Sequence, residues 1–296
     1  MLQLLRSPNK YQESKIDVMT TPHLPAAEQF YQAALARLQG LLEPQREALD
    51  RAAALCTDAI ANDGLVHLFG CGHSRMLCEE MTPRQGCFVG WHTIVELGLT
   101  YHNPIVGANG LRQSLHLEKT PGYAEQILRN FAFGPYDTLI VISTSGIREV
   151  IIEMAEGAKR RALSVIGVVS RAHCEQAHPA HPSGKKLTDV ADVILDNGAP
   201  IGDTVLSLEG SQEKTGPFST LGGALVMNML RCEVAQRLLD RGIEPVFLPS
   251  HQFVGSRSVE QGLEAFYAHY ARRIAPLYGR QGASAKDHMA EPKPQG

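Results

Sequence analysis

Four short runs of Val, Ile and Leu constrain this chain more than any other feature: LVHLFG from Leu65, DTLIVIS from Asp137, LSVIGVVS from Leu163 and DVILDN from Asp192. They are apolar at consecutive rather than alternate positions, as strands covered on both faces are. A weaker run, CFVGWHTI from Cys87, sits between the first two strong ones and brings the count to about five. Helix-like stretches separate the runs at residues 75–85, 123–131 and 148–161, the last carrying Val150, Ile151, Met154, Ala155 and Ala158 as an apolar stripe. Strands alternating with helices predict an α/β fold, a three-layer αβα sandwich around a parallel sheet.

Two amphipathic helices precede the first strand. Residues 25–42 space Phe30, Ala34, Leu38 and Leu41 helically, residues 47–60 do the same with Leu49, Ala52, Ala53, Cys56 and Ile60, and Pro44 breaks them. Residues 220–239 are apolar nearly all round, which predicts a central packed helix, one that a partner subunit could share, ended by Gly242. The expected organisation is a polar leader (1–24), one domain (25–279) and a disordered, Pro/Gly-rich tail (280–296). Within the domain, leading helices occupy 25–62, the αβα core 63–242 and a C-terminal extension 243–279.

Composition removes several function classes. A length of 296 residues, 44% hydrophobic and 20% charged, is that of an ordinary globular protein. A net charge of −3 with interspersed signs leaves no broad basic surface for nucleic acid. No run reaches the roughly 20 apolar residues of a membrane span, and the first 15 residues lack the apolar centre of a secretory signal. The six cysteines form no C-x-x-C pair, so reduced thiols and a cytoplasmic location are expected. Cys71, Cys78 and Cys87 match no zinc spacing and read as small packing residues.

In a parallel α/β sheet, ligands bind beyond the C-terminal strand ends, and two strand-to-helix turns stand out there. The first is Gly70-Cys71-Gly72-His73-Ser74, after VHLF; the second is Ser143-Thr144-Ser145-Gly146, after LIVI. A dinucleotide turn needs a third glycine where Arg75 stands, and no P-loop is present. The second turn offers three hydroxyls and a glycine at a helix N-terminus, where unpaired N–H groups and the helix dipole favour an anion. Simple capping by Ser143 or Ser145 is the plain alternative.

The two turns together resemble the SIS, or sugar isomerase, domain family: a strand followed by G-x-G-x-S (Gly70, Gly72, Ser74), then a strand followed by S-x-S-G-x-x-E (Ser143, Ser145, Gly146, Glu149). The resemblance spans about residues 25–242. It is nearest to a bacterial group with segments like HPSGKKL, ADVILDNGAPIGD and TGPFSTLGGA, the last also similar to a region of N-acetylmuramic acid 6-phosphate etherases. It implies a flavodoxin-like or Rossmann-like five-stranded sheet, a homodimer or homotetramer, no cofactor, and a phosphosugar or other anionic sugar at the strand ends. Gly72, Ser74, Ser143, Thr144, Ser145 and Gly146 would bind it. Ile147 departs from the Thr or Ser of many relatives, which removes one phosphate contact.

The implied chemistry is aldose–ketose isomerisation, with proton abstraction beside a carbonyl by a positioned base. An etherase or deglycase shares that first step and then expels a leaving group; a non-catalytic phosphosugar sensor is the third reading. Glu80 is the expected base, since phosphoheptose isomerases carry a functional His near its place, against the alternative of two solvated carboxylates at Glu79 and Glu80. Glu149, in the first turn after the second motif, either caps its helix or serves in catalysis. His73 could open a sugar ring, and His251 could reach a neighbouring subunit's site. His67 reads as a packed core residue. The His173, His178 and His181 group fits a mobile lid better than a metal site, with Lys185 and Lys186 closing over the phosphate or merely solvated. The glycines of the first turn are expected to clear space for a sugar.

Overall fold

The computed structural model describes residues 24–101, 103, 110–249 and 256–279, so the predicted leader, up to residue 23, and tail lie outside the described residues. Helices α1 (Ala26–Gln39) and α2 (Arg46–Ala61) are joined through a 3-10 turn, Glu43–Gln45. Pro44 starts that turn, where its missing N–H is not needed.

Five parallel strands follow: β1 (Val66–Gly70), β2 (Trp91–Ile94), β3 (Thr138–Ile142), β4 (Ser164–Val169) and β5 (Val193–Asp196). Their order is β2-β1-β3-β4-β5, with Val66 beside both Trp91 and Thr138, Thr138 beside Ser164, and Ile166 beside Val193. The weak run is β2, between β1 and β3 in the chain but at the edge of the sheet. Helices α3 (Arg75–Met81), α4 (Leu111–Leu117), α5 (Tyr123–Leu128), α6 (Glu149–Arg160), α7 (Arg171–Gln176), α8 (Leu187–Val190), α9 (Ser219–Asp240) and α10 (Ser256–Gly279) complete the chain. Helix α3 stops short of the expected residue 85 because Pro83 forces Thr82 into extended backbone, φ −119° and ψ 171°.

Side-chain alternation along the strands builds two cores. Leu68, Ile140, Ile142, Ile166 and Val168 face α2, α3 and α9 through Ala53, Cys56, Leu77, Met81, Met227 and Leu230. Their neighbours Phe69, Leu139, Val141, Val165 and Val169 face α5 and α6 through Leu128, Val150, Ile151 and Met154. Helix α9 lies close because Gly222 and Gly223 lack side chains: a Cβ at Gly222 would stand 2.0 Å from the Asn197 carbonyl oxygen. An antiparallel hairpin, β6 (Thr204–Ser207) with β7 (Lys214–Pro217), precedes α9. The sequence gives no sign of it, because TVLS and KTGP are short and show no apolar alternation. Among the described residues no helix is long and apolar enough to cross a membrane.

At the N-terminal end of the strands lies a buried polar chain. His67, fully buried, pairs with Asp137 through Nε2 (3.1 Å) and with His92 through Nδ1 (2.9 Å), and Tyr278 of α10 stands 3.5 Å from His92 Nε2. Asp137 also accepts the N–H groups of Leu65 and Gly134. Burial, reinforced by the neighbouring His67, pushes His92 down to about 3. A histidine held neutral in the fold but free to protonate when unfolded destabilises the fold as pH drops below about 6.5, by up to about 1.4 kcal/mol per pH unit. Denaturant titrations between pH 7 and 4.5 should show a shallower loss of stability for His92→Asn than for wild type; equal slopes would refute this account.

Candidate functional site

The order β2-β1-β3-β4-β5 reverses direction between β1 and β3, and in such sheets a crevice opens beyond the C-terminal ends of those two strands. A cavity of about 430 Å³ lies there, lined by both turns through Cys71, His73, Ser74, Ser143, Thr144 and Ser145.

The second turn presents donors to the cavity. Ser143 is tied to the sheet by its N–H to Val168 (2.9 Å), and its Oγ accepts the Gly146 N–H (3.1 Å), which closes the turn at a φ of +64° for Gly146. Ser143 thus closes the turn and does not cap the helix: α6 starts at Glu149, with Arg148 at its N-cap and no side-chain cap. The N–H and hydroxyl groups of Thr144 and Ser145 have no hydrogen-bond partner among the described residues and stand on the cavity wall before α6. Arg148, just ahead of α6, adds a cation to the same wall.

Beside Arg148 stands a carboxyl that the sequence did not single out. Glu118, 5% exposed, follows α4, accepts a hydrogen bond from the Tyr101 hydroxyl (2.7 Å), and lies with Oε2 3.9 Å from Arg148 Nε. Burial raises its pKa, only partly offset by the Tyr101 hydrogen bond and the charges of Arg148 and Lys119. Tyr101 is pushed up as well, by burial and then by the Glu118 charge, so it stays a donor. A raised carboxyl in a cavity is suited to proton transfer. LHLEKTPG carries no motif, and Glu118 acquires meaning only from Tyr101 and Arg148, distant in sequence. Arg148, directly after the second turn, had the one usable signal: a cation next to an anion loop.

The opposite wall is the start of α9. Asp203 there accepts the Phe218 and Ser219 N–H groups (3.1 and 2.6 Å) and the Ser219 hydroxyl (2.7 Å), and Thr220 faces the cavity. Asn197 and His173 also line it. His173 Nδ1 accepts the Gly202 N–H (3.4 Å), so in the neutral ring the proton sits on Nε2.

The expected site residues separate into two groups. His73, Ser74, Ser143, Thr144 and Ser145 line the cavity; Gly72, Gly146, Glu80 and Glu149 do not. Glu80 instead pairs with Arg84 and accepts the Asn228 amide (3.0 Å), while Arg231 donates to its carbonyl. Burial works to raise its pKa, but the Asn228 and Arg84 hydrogen bonds and the nearby arginine charges outweigh it and hold the carboxyl low. Glu149 keeps one enclosed oxygen without a partner among the described residues. His251 lies outside the described residues. Lys185 pairs with Glu156 (2.8 Å) and Lys186 donates to the Cys174 and Glu175 carbonyls (2.6 and 3.0 Å), so neither reaches over the turn. The space beside Gly70 and Gly72 is filled by protein: a Cβ at Gly70 would meet the Ser74 backbone at 2.9 Å, and one at Gly72 the Tyr101 ring at 2.4 Å. Clearance for a sugar is not their role.

Residues 29–170 match the SIS domain family. A UPF0309 protein of Brucella anthropi is 36% identical over 246 residues, 81% of this chain and 95% of that one. A UPF0309 protein of Listeria monocytogenes serotype 4b is 34% identical over 243 residues, 82% and 94% of the two chains. The chain belongs to the SIS-domain proteins grouped as UPF0309. Among solved structures, the phosphoheptose isomerase GmhA from Neisseria gonorrhoeae superposes with a TM-score of 0.44 at 18% identity, covering 70% of this chain and 97% of that one.

If the second turn holds an anion, thermal-shift titration with inorganic phosphate should show Thr144→Val and Ser145→Ala each weakening binding about fivefold, as the loss of one hydrogen bond does. Ser143→Ala should lower the melting temperature without ligand. Unchanged phosphate affinity in both of the first two variants would count against the cradle.

Proposed function

We propose that the chain is an enzyme acting on a phosphorylated sugar, an aldose–ketose isomerase in which Glu118 is the acid–base group. The observation that carries this reading is the juxtaposition, in one cavity, of an unpartnered hydroxyl and N–H turn with a buried carboxyl of raised pKa. The turn would take the phosphate, or a sulfonate of similar shape, with Arg148 near both charges.

The chemistry then balances within the site. The Glu118 carboxylate removes the proton from the carbon beside the carbonyl; the freed electron pair forms a carbon–carbon double bond, and the carbonyl oxygen becomes an enediolate facing Arg148. The carboxyl returns its proton to the former carbonyl carbon, the hydroxyl proton passes between the two oxygens, and a new carbonyl forms at the neighbouring carbon. His73, on the same wall, is placed to protonate the ring oxygen of a cyclic substrate. No redox or group-transfer partner is required. A lyase reading shares the first step, after which the electron pair expels a group from the next carbon. It is favoured by Pro217, Ser219 and Thr220, of the segment resembling the etherases, on the cavity wall.

The test is a thermal-shift panel of sugar phosphates and sugar sulfonates, then NMR of the best binder with enzyme in heavy water. Solvent deuterium beside the carbonyl with isomer formation is the expected result; deuterium with release of a fragment selects the lyase, and binding without exchange leaves a sensor. Glu118→Gln should keep binding and slow exchange by about 10²–10⁴-fold, the usual worth of a general base. Glu80→Gln should exchange at close to the wild-type rate. The reverse pattern would return the base to Glu80.

A further inference from the structure

We infer that Tyr101 is the positioning residue for Glu118, and that position 72 is glycine so that Tyr101 can reach it. The inference rests on the proposed role of Glu118 and goes beyond it, to how one carboxyl is prepared for proton transfer.

The geometry divides the Glu118 carboxyl into two unlike oxygens. Oε1 receives the Tyr101 hydroxyl at 2.7 Å, while Oε2 is 3.9 Å from Arg148 Nε, too far for a hydrogen bond. One oxygen is clamped, and the other is left for a substrate proton. The ring that carries the hydroxyl is itself wedged. It occupies the space of a missing Cβ at Gly72, which would lie 2.4 Å from Cε2, 2.6 Å from Cζ and 2.9 Å from the hydroxyl oxygen, and it meets the His73 ring edge-on at 5.9 Å. Gly72 also has a φ of +54°, a backbone conformation that side chains disfavour. The first turn thus acts on the chemistry at one remove, by admitting a tyrosine.

The charged and titratable groups around Glu118 come from four places: Arg148 and Glu149 at the start of α6, Lys119 next in the chain, Tyr101 from the segment after β2, and Cys71 from the turn after β1. Only Tyr101 donates a hydrogen bond to its carboxylate within the described residues. A hydrogen bond donated to a carboxylate stabilises its charged form, so removing it raises the pKa.

The experiment uses the ligand-free full chain with ¹³C-labelled glutamate carboxyls, the Glu118 signal assigned by its loss in Glu118→Gln. Tyr101→Phe keeps the ring and removes the hydroxyl; its Glu118 titration should move up by about one unit. Gly72→Ala, which retains the hydroxyl but pushes the ring away, should move it in the same direction, and the double variant should do no more than either single one, since both cut the same link. With the sugar phosphate found in the panel above, Tyr101→Phe should lower kcat about tenfold with KM nearly unchanged. An unmoved Glu118 titration in Tyr101→Phe overturns the inference, as does a higher KM at unchanged kcat, which would make Tyr101 only a wall. If Gly72→Ala does not fold, Tyr101→Phe decides alone. A panel with no turnover removes the proposed function, whereas the titration still decides whether Tyr101 governs Glu118.

Discussion

A sheet buried on both faces has no room for chemistry except at its ends, and this restriction governs the molecule. Leu68, Ile140 and Ile166 are committed to one helical layer, Phe69, Leu139 and Val165 to the other. What remains for a ligand is the backbone where a strand becomes a helix. There the first N–H groups of the helix have no partner in the helix itself, and the strand order reverses between β1 and β3.

The cavity at that place contains unlike electrostatic neighbourhoods. One wall is rich in donors, with Thr144, Ser145 and the Arg148 cation, and suits an anion. Against it stands a carboxyl, which keeps a raised pKa because burial outweighs what Tyr101 and Arg148 give back. Glu80 shows the converse: less buried and ringed by Asn228, Arg84 and Arg231, it is held in its charged form. Two carboxyls of identical intrinsic acidity acquire different capacities from their surroundings alone.

Much of this was legible from local sequence. The strand runs mark the sheet because consecutive branched apolar residues suit a surface covered on both sides. Pro44 and Gly242 mark helix ends through backbone restrictions that act within a few residues. The Ser-Thr-Ser-Gly turn was likewise readable, since its hydroxyls and glycine sit in consecutive positions. The position of Glu80 was not, because counting turns from the Gly-rich segment gives its height on α3 but not which groups of α9 pack against it. Asn228 and Arg231, nearly 150 residues away, settle that. The hairpin before α9 escaped for a different reason: its two strands are four residues each, β6 half-buried and β7 largely exposed, too short to carry a clear apolar alternation.

By itself the sequence determined the class of fold and the two turns, with Arg75 where a dinucleotide motif has its third glycine, because these depend on short-range sterics and on which residues avoid water. Only the tertiary structure decided which carboxyl enters the cavity and what fills the space beside Gly72. Those answers belong to contacts among Gly72, Tyr101, Glu118 and Arg148, brought together from three separate segments of the chain. No local pattern encodes such a meeting, since it follows from how the helices after β2 and β3 pack against the same strand ends.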